Sequence, residues 1–212
     1  MIRKNVAAGR LKFTQSTAEG VQNSDVIFIA VPTPPLPDGG VDMSFIEKVA
    51  REIAATLTSY KIIVDKSTVP VKTGEKVAET IRRYTRSGVE FDVVSNPEFL
   101  REGVAWEDFI QPDRVVIGAA DDMSFNAVAK LYAPFHTQIC RVTPSTAEFI
   151  KSVSNALLAT LVSFANEASM AADAIGDIDV RSAFQTLHLD RRWSGSPAKM
   201  TSYLFPGCGF GG

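Results

Sequence analysis

Three stretches of this chain gather side chains that could do chemistry. Asp65-Lys66-Ser67-Thr68-Val69-Pro70 sets two hydroxyls after an apolar run and just before a helical pattern. That place suits hydrogen bonds to a phosphate, a ribose or a water. Capping of the following helix by Ser67 or Thr68 would use the same groups. Ser95-Asn96-Pro97-Glu98-Phe99-Leu100-Arg101-Glu102-Gly103 follows another apolar run. With Pro97 at the first helical position, Glu98 and Glu102 fall one turn apart on one face. Neighbouring carboxylates repel, which raises the pKa of one and makes a candidate general acid/base. A solvated acidic turn favoured by the helix dipole accounts for the same pair.

The third stretch lies on a long helical pattern, where Glu148, Lys151 and Asn155 share a face at i, i+3 and i+7. Polar groups on an otherwise apolar helix need partners, because unpaired buried charge is costly. A lysine so placed can stabilise an oxyanion. A Glu148–Lys151 pair on a solvent-facing stripe is the plainer alternative. The glycine-rich end, Phe205-Pro206-Gly207-Cys208-Gly209-Phe210-Gly211-Gly212, lets backbone approach a ligand closely or simply stays flexible. Cys208 has no obvious histidine partner, and the spacing of His136 and His188 offers no metal site.

The elements that must hold these residues alternate between strand and helix. Apolar runs at Asp25 to Val31, Lys61 to Asp65, Phe91 to Val94 and Arg114 to Gly118 read as strands. Helical patterns cover about Ser44 to Leu57 and Lys72 to Tyr84 between them. Strands apolar on both faces, separated by helices, imply a parallel sheet covered on both sides, wound into a doubly wound α/β domain. Its ligands belong beyond the carboxyl ends of the strands, where the first two stretches fall. The helix from about Ser145 to Asp173 is apolar almost all round and is expected to be buried between domains. Gly176 is expected to stop it, and a further helix to follow from Val180 to Leu187.

Composition bounds the function. The 212 residues, 45% hydrophobic, suffice for one large domain or one and part of another. A net charge of -2 gives no electrostatic case for nucleic acid or an anionic membrane. Two distant cysteines suit a reducing cytosol, and the absence of a basic-then-apolar leader points to a cytoplasmic protein. The apolar stretch near 153–165 is broken by Ser154, Asn155, Thr160 and Ser163, so no membrane span is expected. The glycine-rich turn that normally opens a dinucleotide-binding domain does not occur, and the chain begins on what looks like the tail of a helix.

Taken in order, these motifs resemble the UDP-glucose/GDP-mannose dehydrogenase family over essentially the whole chain. The strand and loop Asp25 to Pro34, DKSTVPVKTG, NPEFLREG, PDRVVIG, EFIKSVSNALLA and PGCGFGG are each similar to a family signature. DKSTVP and PDRVVIG look more like UDP-glucose 6-dehydrogenases than like the GDP-mannose or UDP-N-acetylmannosamine enzymes. The resemblance implies a partial Rossmann-like domain over residues 1–144. It implies a long central helix and the start of a helical middle, dimerising domain over 145–212. It implies NAD as cofactor, a UDP-sugar substrate, and two oxidations at C6 through a cysteine thiohemiacetal and thioester.

By the same resemblance Glu98 would activate the hydrolytic water, Thr68 would help hold it, and Lys151 and Asn155 would polarise the C6 oxygen. Glu102 would lie near sugar and nicotinamide. Phe99 and Leu100 would offer backbone to the substrate, Tyr203 and Phe205 to Gly209 would wrap the nucleotide, and Arg192 would reach a partner's site. Val31, Pro32, Thr33, Ser67 and Thr68 would face the cofactor. Family members continue the tail as Gly-Gly-Ser-Cys-Phe-Pro-Lys-Asp, whereas this chain ends at Gly212. The expectation is therefore a fragment without the nucleophilic cysteine, inactive alone; Cys208 matches an earlier loop position.

Overall fold

A computed structural model describes residues 1–86 and 88–190. The first unit, Met1–Asn155, is built on a five-stranded sheet whose order follows the chain. Its strands are β1 (Val26–Ile29), β2 (Lys61–Asp65), β3 (Phe91–Ser95), β4 (Arg114–Gly118) and β5 (Gln138–Val142). Helices α1 (Ile2–Ala7) and α2 (Thr17–Gln22) precede the sheet. Helices α3 (Ser44–Thr56), α4 (Thr73–Tyr84), α5 (Ala105–Ile110) and α6 (Asp122–Tyr132) connect successive strands.

The two-residue period of β2 divides its apolar side chains between two cores. Ile63 joins Ile29 beneath α3 and α4, with Ile46, Ile53, Val77 and Ile81. Ile62 and Val64 join Val94, Val115 and Ile117 beneath α6, with Val128 and Tyr132. The sheet is thus covered on both faces, as strands without a polar face require.

The expected parallel sheet is found, with one antiparallel seam. β1, β2 and β3 are parallel, and so are β4 and β5, but β3 and β4 are antiparallel. Only Ser95 and Gly118 pair there, the last residue of each strand. The segment between them carries only the six-residue α5, not the long crossover that parallel neighbours need. Residues 96–113 therefore stand beyond the carboxyl end of β3, which puts the Glu98 segment at the ligand-binding edge. β5 was not among the expected strands, because Gln138-Ile139-Cys140-Arg141-Val142 alternates polar and apolar as a half-exposed edge. Helices α2, α5 and α6 also escaped the periodicity; Ser16 and Asp121 cap α2 and α6 by accepting from Glu19 and Ser124 amides.

After β5 the chain enters α7 (Pro144–Ile175). Gly118 admits its start: a Cβ there would lie 2.7 Å from both the Ala147 Cβ and the Pro144 Cα. The second unit begins at Ala156 and holds the rest of α7 and α8 (Val180–Leu187), where Phe164 and Phe184 meet edge to face at 6.5 Å. Gly176 ends α7 at φ +82°, as expected. The expected burial of α7 is not met in this chain: Leu158, Phe164 and Met170 are all more than half exposed. A helix apolar all round cannot be covered by one eight-residue neighbour.

Candidate active site

The carboxyl ends of β1 and β2 are laced together by the hydroxyls of the first motif. Ser67 Oγ accepts the Val31 amide at 3.0 Å and donates to the Ile29 carbonyl at 3.4 Å. Thr33 Oγ1 donates to the Thr68 carbonyl at 2.8 Å. Neither Ser67 nor Thr68 caps α4, contrary to the capping alternative. The cap position is Lys72, at φ +73° and with no side-chain bond of its own. The amides there are taken by Glu148, whose carboxylate accepts Lys72 N at 2.5 Å and Gly74 N at 2.7 Å. A phosphate is therefore not to be sought at this helix start; its donors already hold a carboxylate. Pro32 and Thr68 are exposed, and Val31 and Thr33 half-buried, so this edge offers apolar contact and one free hydroxyl to a flat ligand such as a dinucleotide.

The second motif folds differently from its expected helix. Residues 96–101 are irregular, Glu102 and Gly103 form a turn with Gly103 at φ +87°, and α5 starts only at Ala105. Glu98 and Glu102 thus do not share a helical face. Glu98 Oε1 instead accepts Lys151 Nζ at 2.8 Å, and its Oε2 accepts the Leu100 amide at 2.5 Å. Burial alone would push the Glu98 carboxyl up. Hydrogen bonds from Lys151 and Leu100, with the charges of Lys151 and Lys66, outweigh it and hold the carboxyl below its ordinary range. The expected carboxylate repulsion is replaced by an ion pair, because Lys151 arrives from α7. Glu102 stays exposed on its turn.

Lys151 is 6% exposed, and its ammonium also lies 5.5 Å from the Phe99 ring centroid. The Arg114 guanidinium sits over the same ring at 4.2 Å. The Glu148–Lys151 pair anticipated from i, i+3 spacing does not form, since each group takes a partner outside α7. Asn155, on a helix expected to be buried, is exposed. Leu100 is exposed and Phe99 half-buried. Arg192, Tyr203, Phe205, Cys208 and Gly209 lie outside the described residues. Among the described residues no cluster of His, Cys, Asp or Glu could hold a metal ion.

Two residues were not singled out from the sequence. Asp65, 2% exposed, accepts the Ser67 amide at 3.1 Å through Oδ1, while its buried Oδ2 has no partner. Burial pushes its carboxyl up to about 7, against the Ser67 amide bond and with help from the Glu148 charge. Lys66 is half-buried; burial lowers its ammonium pKa more than the Glu98 charge raises it. Its Nζ is 3.4 Å from Asn96 Oδ1 and from Tyr132 Oη, two groups that hydrogen-bond each other. Asp65 ends the apolar run Ile62-Ile63-Val64 and Lys66 follows it, a signal present in the sequence.

A cavity of about 280 Å³ opens beside Glu98, lined by Lys66, Phe99, Arg114 and Tyr132 among others. A much smaller one lies between Asp65, Ser67, Ser95, Glu148 and Lys151. Glu98 lines the larger cavity and Lys151 the smaller, and a carboxylate held as its anion in contact with an ammonium can serve as base and oxyanion stabiliser.

Residues 1–136 match the NAD-binding domain of the UDP-glucose/GDP-mannose dehydrogenase family, and residues 145–212 match its central domain. A UDP-glucose 6-dehydrogenase of Pseudomonas aeruginosa is 41% identical over 218 residues, covering all of this chain and 47% of its own length. The UDP-glucose 6-dehydrogenase TuaD of Bacillus subtilis is 38% identical, covering all of this chain and 44% of its own. Among solved structures, a UDP-glucose dehydrogenase from Pyrobaculum islandicum superposes with a TM-score of 0.85 at 40% identity, over 89% of this chain and 44% of that one. A GDP-mannose dehydrogenase from Pseudomonas aeruginosa gives 0.87 at 33% identity, over 96% and 47%. The chain spans about half the length of the relatives it matches.

Proposed function

This chain belongs to the UDP-glucose/GDP-mannose dehydrogenase family, and on that footing we propose that its residues serve a UDP-glucose 6-dehydrogenase. The reaction is a two-step, NAD-dependent oxidation of C6 to UDP-glucuronate, passing through a cysteine thiohemiacetal and thioester. The observation that carries this reading is the 2.8 Å contact of Lys151 Nζ with Glu98 Oε1 at the carboxyl edge of the sheet. The names of the relatives support the substrate.

NAD supplies the hydride acceptor, with Val31, Pro32, Thr33, Ser67, Thr68 and Glu102 assigned to its side of the site. Lys151 and Asn155 hold the C6 oxygen and stabilise the oxyanion of each tetrahedral state. In the resting pair Lys151 keeps Glu98 a weak base. When Lys151 turns its charge to the C6 oxygen, Glu98 loses a stabilising partner and becomes more basic. It then takes a proton from the water that cleaves the thioester, with Thr68 helping to hold that water. Phe99, Leu100 and Glu102 are assigned to the sugar, Tyr203, Phe205 and Gly209 to the nucleotide, and Arg192 to a partner subunit's site. The exposed apolar residues of α7 support a homodimer formed through the middle domain; the compartment proposed is the cytoplasm.

The activity is proposed for these residues within a chain of the relatives' length; the 212 residues alone are expected to yield no NADH from UDP-glucose. The test is NADH formation by the longer protein with UDP-glucose, GDP-mannose and UDP-N-acetylmannosamine side by side. Two NADH per UDP-glucose, with little from the others, is expected. Preference for GDP-mannose or UDP-N-acetylmannosamine would transfer the assignment to that sugar. No NADH from any would leave a non-catalytic, dimerising role.

A further inference from the structure

Glu148 is 3% exposed, yet among the described residues no cationic side chain pairs with it. Its carboxylate is instead held by three donors from two other elements. Lys72 N and Gly74 N come from the start of α4, and Ser95 Oγ, at 3.2 Å, from the end of β3. Two features make room for this. Lys72 takes a left-handed φ of +73°, and a Cβ on Gly74 would lie 3.2 Å from both Glu148 Oε1 and Ser95 Oγ. Ser95 is three residues before Glu98, and Lys151 is one helical turn after Glu148. The same stretch of α7 thus touches the Glu98 segment twice, first through Glu148 and Ser95, then through Lys151 and Glu98.

We propose that Glu148 is a positioning residue, pinning α7 to α4 and β3 so that Lys151 meets Glu98. Three charge-assisted bonds fix the rotation and depth of the helix at this turn. A lysine side chain with four rotatable bonds gains a defined position only if its helix has one. The chemical importance of the Lys151–Glu98 pair rests on the function proposed above; its geometry does not.

The test reads Lys151 itself, by the rate at which a small amine-acylating reagent labels it in the 212-residue chain, followed by peptide mass spectrometry. Lys61, 5% exposed on β2, is the internal reference for global opening. In Glu148→Ala, Lys151 labelling is expected to rise about tenfold or more, as for a locally freed segment, while Lys61 stays protected. Gly74→Ala leaves Glu148 in place but crowds its carboxylate, and is expected to raise Lys151 labelling in the same direction by a smaller factor. Unchanged Lys151 labelling in both variants overturns the proposal. So does a parallel rise at Lys61, which would make Glu148 a prop of the whole fold. Labelling needs no turnover, so an enzyme found inactive on every nucleotide sugar would leave this result standing.

Discussion

Asp65→Asn should stabilise the chain, and by an amount that depends on pH. The wild-type carboxyl ordinarily ionises near 3.8, but burial moves it to about 7 in the folded chain. The folded state therefore keeps a proton that the unfolded state has lost. Stability is highest below 3.8, falls as pH rises between 3.8 and about 7, and is level above that. At ~1.36 kcal/mol per pH unit, the full displacement costs the wild type about 4 kcal/mol above pH 7. Asparagine has the same shape and no charge to desolvate, and its amide can set a donor where the partnerless Oδ2 now lies. The gain should grow from about 0.5 kcal/mol at pH 4 to about 4 kcal/mol at pH 8. Urea denaturation of both chains across this range, followed by circular dichroism, measures it. A difference independent of pH, or a variant less stable at pH 8, would refute the reasoning.

Gly118→Ala forces a methyl against Ala147 and Pro144 backbone at the entry to α7, and should cost about 1–3 kcal/mol in urea denaturation. Ser67→Ala unties the Val31 amide and should cost about 1 kcal/mol by the same assay. Lys151→Met leaves Glu98 without its ammonium partner and should cost about 1–3 kcal/mol at pH 7. Because the folded Glu98 carboxyl ionises below its ordinary 4.5, the stability it lends is present above that value and is lost as pH falls through its folded pKa. The penalty of Lys151→Met should accordingly shrink at pH 3, and a penalty equal at both pH values would contradict the ion pair.

Strands β1 to β4 and helices α3 and α4 were legible because burial writes itself into periodicity. Ile62-Ile63-Val64 marks a strand covered on both faces, and α7 and α8 stand where their patterns put them. What periodicity could not carry was partnership. Glu148 and Lys151 look like each other's partners at i, i+3, yet each is claimed by a group far along the chain, at Gly74 and at Glu98. Glu98 and Glu102 looked paired only on the assumption of a helix after Pro97. The antiparallel turn of β4 removes that helix, and no local pattern encodes it. β5 was hidden because an edge strand need not be apolar. The family motifs pointed to Glu98 and Lys151 without the contact between them.

In the mechanism proposed for the longer protein, Glu98 activates the water that releases the product while Lys151 steadies the C6 oxygen. The most direct measurement is rapid-quench analysis of Glu98→Gln in the protein of the relatives' length, with UDP-glucose and NAD. A fast burst of NADH is expected, with a covalent sugar adduct on the enzyme at nearly one per site and turnover slowed by about 10²–10⁴-fold at the release step. Release at the wild-type rate with no adduct accumulating would contradict it.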